Sequence, residues 1–174
     1  MTEKPHADSI QIAVNCAIAT ISDTRSPETD RSGQLVQQRL RDAGHAVRDY
    51  LILKDEPSQI RSHVEAIAER SDIEALIVNG GTGIAPRDTT YDALADLLEK
   101  TLPGFGELFR YLSYQEIGSR AIASRAVAGV YRGKLIFSLP GSSGAVTLAM
   151  DKLILPELRH LVAQLGKSPE STGL

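Results

Sequence analysis

Residues 75–94, ALIVNGGTGIAPRDTTYDAL, constrain the fold of this chain more than any other stretch. Ala75-Leu76-Ile77-Val78 is an apolar run of strand length with β-branched character. It breaks at Asn79-Gly80-Gly81-Thr82-Gly83, and a helical pattern resumes near Thr90. A strand, a glycine turn and a helix start in that order make a ready anion site. Glycine lets the backbone approach a phosphate closely, and free N–H groups at a helix start point at negative charge. The loop also carries Thr82, Arg87 and Asp88, so hydroxyl, cation and carboxylate lie within a few residues. A tight strand-to-helix turn without a ligand would carry the same glycines, so the stretch alone leaves both readings open.

The rest of the chain alternates in the same way. Residues 10–21 are mostly apolar and fit a strand buried on both faces, as in a parallel sheet. Asp30 or Ser32 is placed to cap a helix with Leu35, Val36 and Leu40 on one face and Gly44 past its end. Residues 45–53 read as a second strand, closing on Lys54-Asp55-Glu56-Pro57. Ser58 is expected to cap a helix carrying Ile60, Val64, Ile67 and Ala68 at helical spacing. Residues 89–98 fit another helix. Pro103-Gly104-Phe105-Gly106 should break the pattern and 107–115 resume it. Residues 122–130 and 134–139 are strand-like around an Arg132-Gly133 turn. The second run ends in Pro140-Gly141-Ser142-Ser143-Gly144, ahead of a long helix that Pro156 should kink or restart and Gly166 should stop. Residues 1–9 and 167–174 read as loose tails, leaving one domain over 10–166.

Strands alternating with helices predict an α/β protein with a mostly parallel sheet. In such sheets ligands bind beyond the carboxyl ends of the strands. That rule gathers Ser22-Asp23, Asp55-Glu56, the 80–88 loop and the 140–144 loop at one edge. Asp55, Gly81, Asp88 and Gly141 are expected to line one pocket.

Bulk properties exclude several classes. A chain of 174 residues with 42% hydrophobic and 24% charged residues is a globular domain rather than a disordered one. Formal net charge is −3 and the lysines and arginines are scattered, so no nucleic-acid surface is expected. The single cysteine, Cys16, lies in an apolar stretch and reads as a small core residue. The polar start and the lack of a membrane-length apolar run lead to the expectation of a soluble cytoplasmic protein with no membrane partner.

Two glycine-rich loops and several carboxylates on one edge suit a phosphorylated ligand with a divalent metal. Asp55 and Asp88 are the candidates to hold magnesium, a hard cation that prefers carboxylate and water. Each also reads as a cap or turn residue. Other familiar sites fail on inspection. Gly133-Lys134 runs into Leu135, so there is no Walker A pattern, and Gly81-Thr82-Gly83 lacks the third glycine of a dinucleotide fingerprint. Gly141-Ser142-Ser143-Gly144 is one residue short of a nucleophile elbow. His6, His45, His63 and His160 are scattered and make no zinc pattern.

Several motifs together resemble the MoaB/Mog family of molybdenum cofactor biosynthesis: ISDTR followed by DRSG, NGGTGIAPRDTTYDAL, PGFGELFRYLSYQEIGSRAIASRAVAG and LIFSLPGSSGAV. They span about 12–155, and the PGFGELFR and SYQEIG portion is closer to the MoaB branch. The resemblance implies a three-layer α/β/α sandwich and a homotrimer or homohexamer. It implies binding of molybdopterin, a dithiolene pterin monophosphate. It implies adenylylation of that phosphate by Mg2+ and ATP with release of pyrophosphate, the product passing to a separate molybdate-insertion protein. Carried onto this chain, the essential aspartates are Asp55 and Asp88. Ser113 and Ser124 resemble the serines that hold the pterin phosphate, with Arg125 beside Ser124. Gly80, Gly81, Thr82 and Gly83 match the nucleotide-side loop. Pro140, Gly141 and Ser142 match the second loop, and Ser22 and Asp23 the first. Tyr91 departs from the proline of many active members, and Ser143 from a frequent proline or lysine. The alternative functions are a non-catalytic molybdopterin carrier or scaffold, and a regulatory oligomer whose glycine loops are structural. Residues 104–117 are expected to supply an interface through Phe105, Leu108, Phe109, Tyr111 and Tyr114, the alternative being that they fill the core.

Overall fold

A computed structural model describes residues 12–166. The expected tails 1–9 and 167–174, and the first two residues of the expected first strand, lie outside them. The described residues form six strands and six α-helices. The strands are β1 (Asn15–Ile21), β2 (Ala46–Leu53), β3 (Ala75–Asn79), β4 (Lys100–Thr101), β5 (Val127–Tyr131) and β6 (Lys134–Leu139). The helices are α1 (Arg31–Asp42), α2 (Pro57–Ala68), α3 (Thr90–Ala95), α4 (Pro103–Ile117), α5 (Ser143–Ala149) and α6 (Leu155–Leu165).

The strands make one sheet in the order β2-β1-β3-β6-β5-β4. The first four run parallel, and β5 is antiparallel to both β6 and β4. Side chains alternate along each strand, so one strand feeds two cores. Cys16, Ile18, Ile77 and Phe137 face α1, α4, α5 and α6. Ala17, Ala19, Leu76, Val78 and Ile136 face α2 and α3. The result is a three-layer α/β/α sandwich, and its central strands are mostly apolar because both faces are covered, with buried Thr20, Asn79 and Ser138 toward their carboxyl ends. Cys16 is fully buried, and burial pushes its thiol up to about 12, with Glu74 adding to the rise. No helix among the described residues is long and apolar enough to cross a membrane.

Local expectations fail where proline and glycine were read as breakers. The Pro103–Gly106 stretch opens α4 instead of interrupting it, because a proline in the first helical turn loses no intrahelical bond. Likewise α2 starts at Pro57, and Ser58 lies inside it rather than capping it. Residues 118–123 form a 3₁₀ turn, so β5 begins at Val127 and not near 122. The 89–98 helix is shorter than expected, and the two-residue edge strand β4 follows it. The restart expected at Pro156 is present, with α6 beginning at Leu155. A π turn at Met150–Ile154 widens the helix ahead of it, and the proline sits in the first turn of α6.

Candidate functional site

Parallel strands deliver their carboxyl ends to one edge, and the loops that leave them meet there. A cleft of about 490 Å³ is lined by Ser22, Thr24 and Arg25 after β1, by Gly80, Gly81, Thr82, Gly83 and Asp88 after β3, and by Pro140 and Gly141 after β6. Arg120, Ala123 and Ser124 of the 3₁₀ turn and its exit close the remaining side. The 84–88 loop is also a wall of a second cleft of about 480 Å³, which Asp88 and Arg125 line together with Asp92. Asp88 therefore faces both.

The glycine turn has this shape because its backbone is left-handed and its neighbours crowd it. Gly81 lies at φ +64°, and a Cβ there would fall 2.1 Å from Thr90 Oγ1 and 2.3 Å from Asp55 Oδ2. Asp55 thus lies behind the turn, buried, with its Oδ2 facing Gly81. Its Oδ1 accepts the Thr89 N–H (3.1 Å), the Thr89 hydroxyl (2.7 Å) and the Thr90 hydroxyl (3.4 Å). Asp88 approaches the same turn from its other end. Its Oδ2 would lie 2.5 Å from a Cβ on Gly83, and it accepts the Ala85 N–H at 3.1 Å.

Among the expected site residues, Ser22, Gly80, Gly81, Thr82, Gly83, Asp88, Ser124, Pro140 and Gly141 line the cleft. Asp55 does not: it backs the glycine turn. Ser113 is buried on the inner face of α4 and is not part of the lining. Ser142 caps α5, accepting the Ala145 N–H at 3.2 Å. Asp23 is tied to Arg87 by bonds of 2.8 and 2.9 Å and accepts the Asp55 N–H at 3.2 Å. These contacts, the Arg87 guanidinium first, hold the Asp23 carboxyl below its ordinary range. Arg87 also reaches Glu56 at 2.9 Å, and the two carboxylates push its pKa up. Arg125 clamps the turn: it donates to Thr82 O (3.0 Å), Gly83 O (2.7 Å) and Asp92 (3.0 Å), and stacks 4.6 Å above the Tyr91 ring.

Sequence reasoning passed over the polar network behind the cleft. Asp30 caps α1 through Gly33 N at 2.9 Å, as expected, but it is also a fully buried hub. It accepts the Tyr50 hydroxyl at 2.6 Å and pairs with Arg25 at 3.3 Å. Burial alone would raise its pKa. Hydrogen bonds from Thr20, Tyr50, Gly33 and Ser32 outweigh burial and hold it below the usual value. Ser32 continues the network to Asn79 (2.7 Å), and Asn79 to Thr20 (3.0 Å). Arg25 donates onward to Ser32 and to Gly141 O at 3.1 Å, joining the first loop to the last. ISDTR and DRSG were visible as motifs, but nothing local to them says that Arg25 and Asp30 meet.

No group of three or more metal-binding side chains exists among the described residues. The donor chemistry of the pair Asp55 and Asp88 still fits a magnesium ion that arrives on a nucleotide. Both present carboxylate oxygens to successive parts of one turn, and magnesium accepts one or two carboxylates with phosphate and water completing its shell.

Comparison with known proteins bears on the whole chain. The profile of a family described as "Probable molybdopterin binding domain" matches residues 17–160. "Molybdenum cofactor biosynthesis protein B" of Halalkalibacterium halodurans is 54% identical over 168 residues, covering 96% of this chain and 99% of that one. A crystal structure of a protein of the same name has a TM-score of 0.88 and 52% identity, covering 90% and 98% of the two chains. The tungsten cofactor synthesizing protein MoaB from Pyrococcus furiosus has a TM-score of 0.80 and 30% identity, covering 89% and 98%.

Proposed function

The chain belongs to the probable molybdopterin binding domain family of molybdenum cofactor biosynthesis proteins, and from that membership we propose that it is a molybdopterin adenylyltransferase. In this reading a terminal phosphate oxygen of molybdopterin attacks the α-phosphorus of ATP. The bond to the β-phosphate oxygen breaks, and pyrophosphate leaves. The observation that carries the reading is the meeting of the strand-end loops in one cleft, with Asp88 in its wall and Asp55 behind Gly81.

Each part of the cleft has work in such a transfer. In this reading the N–H groups of Gly81, Thr82 and Gly83 take phosphate oxygens, while that of Gly80 is already bonded to Leu139 O at 3.0 Å. Ser124 offers a hydroxyl to the pterin phosphate from the opposite wall. Asp55 and Asp88 would hold the magnesium that comes with ATP, which would supply positive charge beside the phosphates. Phosphoryl chemistry asks mainly for positioning and charge neutralisation, which a rigid turn clamped by Arg125 and Asp55 supports. A carrier or scaffold without turnover is favoured by one contrary observation: Asp55 Oδ1 is fully engaged in holding Thr89 and Thr90.

Pyrophosphate release from molybdopterin and MgATP separates the two. Adenylylation predicts release by the native chain and its loss in Asp88→Asn. Release by neither leaves the carrier. The reading extends to a cytoplasmic homotrimer or homohexamer that hands its product to a molybdate-insertion protein. Its support is the α4 face, where Leu108, Tyr111, Tyr114 and Ile117 are exposed. Phe105 and Phe109, expected on that interface, are buried in the core instead, with Phe105 packed edge-on against Phe137 at 5.2 Å. A monomeric mass by light scattering at micromolar concentration would remove the oligomer.

A further inference from the structure

Arg25, Arg87, Arg120 and Arg125 stand around the glycine turn, and they are not equivalent. Arg87 is held by Asp23 and Glu56. Arg125 spends its guanidinium on the carbonyls of Thr82 and Gly83 and on Asp92. Arg25 lies in the cleft wall, but its charge is matched by buried Asp30, and its N–H groups reach Ser32 and Gly141 O. Arg120 differs. It is exposed, it lines the cleft, and it makes no hydrogen bond or ion pair among the described residues.

The backbone puts it there. Helix α4 ends on Gly118 at φ +63°, a conformation that side chains disfavour, and the chain turns back into the 3₁₀ turn that carries Arg120. Ser124, one residue past that turn, lines the same wall. Across from them are the Gly80–Gly83 backbone and a single lining carboxylate, Asp88. Arg120 is therefore the cleft's cation with no ion pair among the described residues, beside the Ser124 hydroxyl and open to water.

We propose that Arg120 is the specificity-determining cation of this site, gripping the phosphate monoester of the small-molecule substrate as a dianion through its two-pronged guanidinium. The fork matches two phosphate oxygens, which a point charge does not. The assignment rests on the reading that the cleft takes a phosphorylated substrate, and it goes beyond it. The discriminating residue is an arginine that the glycine and serine motifs do not announce. Each neighbouring arginine is already anchored by bonds to carboxylates or carbonyls, whereas Arg120 has none among the described residues.

The test is equilibrium titration of the full chain with inorganic phosphate, with a pterin monophosphate and with MgATP, at low and at physiological ionic strength. Arg120→Gln is expected to weaken the first two by about 10- to 100-fold and to flatten their salt dependence. It should leave MgATP within about twofold, a change of under half a kcal/mol. Arg120→Lys should recover part of the loss. Arg132→Gln is the charge control: it removes the same charge from an exposed turn, where Arg132 pairs with Glu69. It should change nothing. The proposal is overturned if Arg120→Gln binds phosphate like the native chain, if Arg132→Gln weakens it equally, or if only MgATP binding falls. No turnover enters these titrations. A native chain that binds phosphate through Arg120 yet releases no pyrophosphate overturns the adenylyltransferase reading alone.

Discussion

One oxygen of Asp55 holds Thr89 twice: Oδ1 accepts its backbone N–H at 3.1 Å and its hydroxyl at 2.7 Å. The contact ties the loop after β2 to the far end of the glycine loop after β3. The other oxygen, Oδ2, is turned toward Gly81. One carboxylate thus braces the turn with one atom and faces its glycine with the other.

Asparagine and alanine at position 55 should separate those duties. Asp55→Asn keeps an acceptor for Thr89 and Thr90, so its stability should stay within about 1 kcal/mol of native. Asp55→Ala leaves those donors unmet and should cost about 1–3 kcal/mol. Both should lose adenylylation by roughly a hundredfold to a thousandfold, since both lose the charge. Urea unfolding read beside pyrophosphate release decides. Native turnover in Asp55→Asn would confine the residue to its structural duty.

Glycine positions should divide sharply. Gly81→Ala places a Cβ against Thr90 and Asp55 at a left-handed backbone angle, and should cost about 1–3 kcal/mol and phosphate binding. Gly144→Ala, in the first turn of α5 with nothing within 4 Å of its Cβ, should be neutral or stabilising by up to about 1 kcal/mol. Denaturation midpoints of the two variants check this, and equal destabilisation would contradict the packing described.

Tyr50→Phe removes the 2.6 Å donor from Asp30 and should cost about 1.5–3 kcal/mol at neutral pH. The sign of the pH dependence follows from the lowered pKa of Asp30. Its stabilising contribution is present above the ordinary carboxylate value of 3.8 and is lost as pH falls through the lower folded value. The deficit of Tyr50→Phe should therefore shrink in acid. A deficit that is constant from pH 7 to pH 2, as unfolding curves would report it, contradicts the coupling.

His45 should make stability fall on mild acidification. Its Nδ1 accepts the Val14 N–H at 3.1 Å, its Nε2 has no partner among the described residues, and the ring is buried. Burial first, then the Arg159 charge, lower its pKa against a weaker opposing pull from Glu74. His63 is lowered too, by burial and then by Arg70 against the pull of Asp49. The unfolded chain then binds protons near the ordinary value of 6.5 that the folded chain refuses. Stability should be flat above that value and decline below it, by up to about 1.4 kcal/mol per pH unit per histidine. His45→Asn keeps an acceptor for Val14 and should flatten its share of the slope. An unchanged slope rejects the role of His45.

Periodicity and residue type determined the layers. Residues 16–19 and 75–78 are apolar at every position because both faces of a central parallel strand are covered, and that pattern is local. The order of strand, glycine turn and helix likewise placed Gly80–Gly83 at the carboxyl edge of the sheet. Proline misled the local reading at Pro57 and Pro103, because a proline breaks a helix from inside and starts one from its first turn, and only the observed boundaries show which. The division of labour at the site was settled by tertiary structure alone. Asp55 and Asp88 look alike in the sequence, yet one is buried against Thr89 and the other lines two clefts. Arg25, Arg87, Arg120 and Arg125 also look alike, and which of them keeps its donors free depends on Asp30, Asp23, Asp92 and the turn carbonyls. Those partners lie up to 64 residues away, and Gly141 O, which Arg25 also bonds, lies 116 away. Local pattern fixes which face a residue takes, while hydrogen-bond commitment depends on neighbours that only folding brings within 3 Å.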